Sequence, residues 1–128
     1  MILDSSAIVA VFFKEPGFRL VLDKLIVSDN TATGAPTLAE AGIVLFARMA
    51  SDPLGLLSMF LQEFGVATIA FGDVHWREAL EAYRRFGKGR HRAALNFGDC
   101  LSYAVAKVAR QPLLCVGSDF RYTDIEIA

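Results

Sequence analysis

Apolar and polar positions alternate in blocks along the whole chain, and the blocks change period. The opening residues Met1-Ile2-Leu3 read as a short strand ending at Asp4, and Ser5–Phe13, almost wholly apolar, reads as a helix closed by Lys14-Glu15-Pro16-Gly17. Phe18, Val21, Leu22 and Leu25 follow helical spacing over Phe18–Ile26. Thr31–Ala35 reads as a second strand, and Pro36-Thr37 opens a long helix reaching Ala50. Asp52-Pro53 breaks that helix, Leu54–Phe64 is a further one, and Val66–Ala70 is a short strand. Asp73–Phe86 places Trp76, Ala79, Leu80, Tyr83 and Phe86 on one apolar face. A loop with Gly and Arg, Gly87–Phe97, leads to a helix through Leu101, Ala104, Val105 and Val108 that Pro112 ends. Pro112–Val116 reads as a buried strand, and Asp124–Ala128 as a final edge strand. Strands separated by helices predict an α/β fold, a parallel sheet of four to five strands with helices on both faces.

Length and composition narrow this picture. At 128 residues the chain predicts a single domain, residues 1–128, with a sizeable core. The hydrophobic fraction of 54% exceeds the roughly 45–50% usual for soluble domains. Mean hydropathy is +0.40, so the surplus points to surface covered by a partner. The longest apolar runs, such as Ala7–Phe13, fall far short of the about 18 residues a membrane span needs. No basic stretch precedes an apolar one at the N-terminus, so no secretory signal is expected, and the expected location is the cytoplasm. Cys100 and Cys115 are able to pair in principle, but read as reduced core residues. Neither they nor His75 and His91 show zinc-ligand spacing. The formal net charge of −1 gives no bulk argument for nucleic acid.

Candidate chemistry resides in four acids, Asp4, Glu40, Asp99 and Asp119, all at strand ends or helix starts. Each has a structural explanation. Asp4 suits the N-cap of the helix from Ser5; Thr37-Leu38-Ala39-Glu40 fits a capping box; Asp99 sits favourably near a helix start; and Asp119 follows Gly117-Ser118 as a turn residue would. Together they suggest more, because a parallel sheet gathers these positions on one edge, where carboxylates repel unless protons or cations intervene. Oxygen-only ligands suit Mg²⁺ or Mn²⁺, and such ions serve phosphodiester hydrolysis. Other phosphate chemistries fit poorly: Ser6 stands where a haloacid-dehalogenase-like phosphatase needs a second Asp. No P-loop or GxGxxG is present, and Lys107 lies within a helix rather than after a late strand.

Three blocks, Ile2-Leu3-Asp4-Ser5-Ser6-Ala7, Thr37-Leu38-Ala39-Glu40 and Leu95-Asn96-Phe97-Gly98-Asp99-Cys100-Leu101-Ser102-Tyr103-Ala104, resemble the PIN domain. Leu114–Ile125, with Gly117-Ser118-Asp119-Phe120 and Thr123-Asp124-Ile125, resembles the C-terminal motif of its VapC toxin branch. The resemblance spans the whole chain in order and spacing. It implies a Mg²⁺- or Mn²⁺-dependent endoribonuclease, the toxin of a toxin–antitoxin pair, blocked by a VapB-like antitoxin and commonly a homodimer. It carries the metal-site roles to Asp4, Glu40 and Asp99, and a less uniform fourth role to Asp119, for which Asp124 is the rival. Ser6 and Ser118 match hydroxyl positions that orient carboxylates or water, with capping as the alternative. The alternative to catalysis is a PIN-fold module that binds RNA or protein without cutting.

RNA would need cations that the acidic edge lacks. Arg77, Arg84, Arg85, Lys88, Arg90 and Arg92 are six of the 13 Lys and Arg residues, packed into sixteen positions. Arg77, Arg84 and Arg85 read as the solvated face of a helix, whereas Lys88, Arg90, His91 and Arg92 are candidate contacts to RNA phosphates. Phe13, Trp76 and Phe120 are read as core, with base stacking as the alternative. The apolar surfaces of Phe18–Ile26, Leu38–Met49 and Leu54–Phe64 are expected to form a dimer face and an antitoxin groove.

Overall fold

Ile2 and Leu3 form the first strand, β1, and their side chains enter opposite layers. A computed structural model describes residues 1–128. After β1 come α1 (Ser5–Phe13), α2 (Phe18–Val27), β2 (Thr31–Gly34), α3 (Ala35–Arg48), α4 (Pro53–Glu63), β3 (Val66–Ile69), α5 (Asp73–Phe86), α6 (Phe97–Ala109) and β4 (Leu113–Leu114). A 3-10 turn, Asp119–Tyr122, follows. The strands are all parallel in the order β3-β2-β1-β4, so the expected α/β architecture is present.

The alternation of strand side chains divides the core. Ile2 and Leu113 meet Ala79, Phe86, Tyr103 and Val105 from α5 and α6. Leu3 and Leu114 meet Ile8, Val21, Leu45 and Phe60 from α1 to α4. Thr33 is fully buried between the layers, and its hydroxyl donates to the Leu3 carbonyl at 3.0 Å. The breakers act as the sequence predicts: Lys14 closes α1 at φ 52° with its N–H on the Ala10 carbonyl, and Gly17 at φ 95° opens α2.

Two segments differ from expectation. Asp124–Ala128 is not a strand but a single parallel rung, Ile127 beside Leu113. It is held by Leu113 N–H on the Glu126 carbonyl at 2.8 Å and Ala128 N–H on the Leu113 carbonyl at 2.9 Å. With β4 only two residues long, there is nothing further to pair. The segment Gly87–Phe97 is no free loop. Lys88 N–H donates to the Leu95 carbonyl and Leu95 N–H to the Phe86 carbonyl across it, and Ala93 and Leu95 are buried. Cys100 is buried, Cys115 is half-buried, and both are free thiols. No helix is long and apolar enough to cross a membrane.

Candidate active site

Asp4 ends β1 and caps α1, because the chain must turn from extended to helical there. It is 3% exposed, and its Oδ2 accepts from Ser6 N–H at 3.0 Å and from the Ser6 hydroxyl. The same Ser6 oxygen accepts from Val116 N–H at 3.0 Å, tying the end of β4 to the carboxylate. Oδ1 of Asp4 is buried with no partner. An anionic oxygen in that condition is costly unless a cation or proton completes it.

Glu40 is not the capping-box residue its sequence suggests. Helix α3 begins at Ala35 with Gly34 as its N-cap, and Thr37 turns inward to share a hydrogen bond with the buried Ser102 hydroxyl at 3.2 Å. The Glu40 carboxylate lies instead against Gly98 at the start of α6, where any Cβ would overlap it. Burial pushes its pKa up, the Ser5 hydroxyl opposes that, and the charge of Asp4 adds to the rise. The capping box that does form is Asn96 with Asp99. Asn96 N–H donates to Asp99 Oδ2 at 2.8 Å, and Asp99 N–H donates to Asn96 Oδ1 at 2.9 Å. Burial pushes Asp99 up to about 6 against the Asn96 bond, helped by repulsion from Asp4, Asp119 and Glu40. Asp119 is exposed at the head of the 3-10 turn. The Cys115 thiol is pushed up to about 12 by burial first, and then by Asp4, Asp119 and Asp99.

The four acids therefore share one electrostatic neighbourhood, and no lysine, arginine or histidine pairs with any of them. They do not form a finished cage: no three acid, histidine or cysteine side chains converge as metal ligands. Asp4 Oδ2 is occupied by the Ser6 amide and hydroxyl, and Asp99 Oδ2 by the Asn96 amide. The donor set nevertheless fits a hard divalent cation that retains several waters: oxygen only, net negative, with one buried oxygen left without a partner.

Asp124 is placed differently. Burial works against its charge, but Tyr103 at 2.6 Å, Lys107 at 2.9 Å and Arg85 at 3.2 Å overcome that and hold it down at about 2. It ties the tail to α5 and α6. Ser118 is exposed and makes no capping hydrogen bond with its side chain.

The basic residues fall into two sets. Arg77 pairs with Asp73, Arg84 with Glu81 and Arg85 with Asp124. Lys88, Arg90 and Arg92 are exposed without ion pairs. Arg90 lies 5.9 Å from the Tyr83 ring centre, and Arg92 lies 4.2 Å from that of Tyr122. His91 is turned into its own loop, accepting from Ala93 N–H at 3.1 Å with its ring edge-on to Phe86. Phe120 is core at 3% exposure, as expected, but Trp76 is 46% exposed and is not. Ser5, Asn96, Phe97 and Gly98 also contribute to the site. Asn96 is findable from its spacing to Asp99, whereas the other three depend on contacts between distant segments.

Known proteins share the sequence and fold of this chain. Residues 1–126 match the PIN domain family. A VapC ribonuclease of Mycobacterium bovis and ribonuclease VapC36 of Mycobacterium tuberculosis are each 44% identical over 127 residues, 98% of this chain and 91% of theirs. Ribonuclease VapC of Mycolicibacterium smegmatis is 42% identical over 126 residues, 98% of this chain and 97% of its own. Among solved structures, Mycobacterium tuberculosis VapC20, described as a sarcin-ricin loop cleaving toxin, superposes with a TM-score of 0.80 at 15% identity, covering 99% of this chain and 97% of that one. A toxin–antitoxin complex from Klebsiella pneumoniae gives 0.74 at 15% identity, covering 99% and 95%.

Proposed function

Because the chain belongs to the PIN domain family, we propose that it is an endoribonuclease toxin of the VapC type, with Asp4, Glu40, Asp99 and Asp119 as its metal-binding acids. The observation that carries the reading is the buried, partnerless Oδ1 of Asp4 inside a group of uncompensated carboxylates. Capping occupies only Oδ2 of Asp4 and gives its buried Oδ1 no partner. Helix capping accounts for Asp4 and Asp99 but not for Glu40, which favours the nuclease over a non-catalytic binding module.

A divalent cation held here supplies Lewis-acid polarisation of a phosphoryl oxygen and a more acidic water. The oxygen-only donors favour Mg²⁺, with Mn²⁺ as a substitute. The protein's own residues do the placing. Ser6 and Asn96 fix the carboxylates of Asp4 and Asp99 from behind, leaving Asp4 Oδ1 free. Glu40 enters from α3 through the gap that Gly98 leaves. Lys88, Arg90 and Arg92 offer the cations that an RNA backbone needs and the acids repel. The named VapC relatives and the Klebsiella complex support a VapB-like antitoxin as partner. The exposed Ile43, Phe46, Leu54 and Met59 support a homodimer as well.

The test is cleavage of a panel of cellular RNAs with Mg²⁺ or Mn²⁺, with wild type beside Asp99→Asn. Discrete cuts that vanish in EDTA and in the variant are the expected result. Cuts that survive Asp99→Asn overturn the site, and silence from folded wild type across the panel favours the binding module.

A further inference from the structure

Three apolar grooves lie along α3 to α6, and one differs from the other two. The groove between α3 and α4 is lined in part by Asp52 and that between α3 and α6 by Glu40, whereas no charged side chain lines the third. The third, a cleft of about 290 Å³ between α5 and α6, is lined by the rings of Trp76, Tyr83 and Phe97 with Leu80 and Leu101. Two guanidinium groups lie over its aromatic walls, Arg77 at 4.4 Å from the Trp76 ring centre and Arg90 at 5.9 Å from that of Tyr83.

The rings are held in place and remain partly exposed. Trp76 Nε1 donates to Asp73 at 2.8 Å, and the Tyr83 hydroxyl donates to the Lys88 carbonyl at 3.3 Å. Yet Trp76 is 46% exposed, Tyr83 40% and Phe97 79%. Phe97 is the wall shared with the groove that contains Glu40, and it stands two residues before Asp99. Exposed π-faces interleaved with arginines are what a flexible nucleic-acid strand recognises. Bases stack on the rings while phosphates meet the cations.

We propose that the α5–α6 cleft binds a base of single-stranded RNA adjacent to the cut phosphodiester, stacked among Trp76, Tyr83 and Phe97 with its phosphate at Arg77 and Arg90. This rests on the nuclease reading above and extends it to how the strand is positioned. A base at Phe97 sets the next phosphate beside Asp99 and Glu40. A protein helix fits the cleft less well, because Arg90 beside Tyr83 has no ion pair and would face it uncompensated.

Trp76 is the only tryptophan of the chain, so its fluorescence reports the cleft directly. A short mixed-sequence single-stranded oligoribonucleotide, titrated into wild type in EDTA so that it stays intact, should quench that emission saturably. Phe97→Leu should weaken the Kd about tenfold with Tm unchanged, whereas Phe97→Tyr should not. Arg90→Ala should lower the slope of log affinity against log salt by about 0.7. In cleavage with Mn²⁺, the Leu variant should raise KM and spare kcat. If wild type cuts RNA while Trp76 emission stays unmoved, the cleft assignment falls and the nuclease stands. Quenching without cleavage by any metal leaves the cleft and removes the nuclease, and the absence of both removes both. Emission that responds to protein concentration and not to RNA makes the cleft a protein interface and overturns the proposal.

Discussion

Gly98 has no side chain at the point where the Glu40 carboxylate would collide with one. Alanine there suits a helix start, so Gly98→Ala should fold normally. It should displace Glu40 and weaken metal affinity by about 10- to 100-fold, as loss of a ligand's support commonly does. Calorimetric titration with Mn²⁺ would measure it, and unchanged affinity would remove Glu40 from the site. Asp99 gives a second expectation at this scale. Its carboxyl titrates near 6 when folded, against an ordinary 3.8. Between those values the folded chain holds a proton that the unfolded chain has released, so metal-free stability should rise as pH falls through 6. Glu40, also raised, acts in the same sense. Asp124, lowered to about 2, acts oppositely, and its contribution is lost only below the ordinary 3.8. The Mn²⁺-dependent gain in Tm should shrink over the same fall through 6, because protons and metal compete for the acids. Thermal scans across pH in EDTA and in Mn²⁺ check both signs. At this scale the acids were legible because each sits where a strand ends or a helix begins. What Glu40 does was not legible: a capping box is a local pattern, while its real neighbour Gly98 lies 58 positions further along the chain.

Helix α6 gathers duties that the other helices do not share. Its first turn carries Asp99, its second packs Ser102 against Thr37 of α3, and its later turns hold the tail through Tyr103 and Lys107. The tail bond matters because Tyr103 is fully buried and its hydroxyl has a charged acceptor. Asp124→Ala should cost about 1–2 kcal/mol, mostly from that hydroxyl and little from the half-exposed ion pairs. Metal affinity at the acids should be unchanged in the same variant. Denaturant unfolding and Mn²⁺ titration, run side by side, separate this clasp from the site. Legibility at this scale follows from how local each signal is. Helices bounded by Lys14-Glu15-Pro16-Gly17 or Asp52-Pro53 were readable, since those residues act on their own backbone. The lone rung at Ile127 and the pinned segment from Gly87 to Leu95 were not, because both exist only through partners supplied by other elements.

Across the whole molecule, apolar surplus and acidic edge lie on one continuous belt. The groove of about 410 Å³ between α3 and α4 shares Ala39 and Ile43 with the groove that reaches Glu40. Ile43 and Phe46 on its wall are 70% and 68% exposed, more than an isolated chain would leave to water. Wild type should therefore sediment as a dimer, and Phe46→Glu should leave a monomer with the same Tm. A monomeric wild type would remove self-association from the account of this surface. The four acids also differ in what else they do. Asp4 and Asp99 each cap a helix, whereas Glu40 supports no backbone and adds repulsion. A lineage drifting towards harmlessness would thus shed the charge of Glu40 before that of Asp4 or Asp99. Its descendants would remain well-folded decoys, still able to occupy whatever protein evolved to restrain the active form.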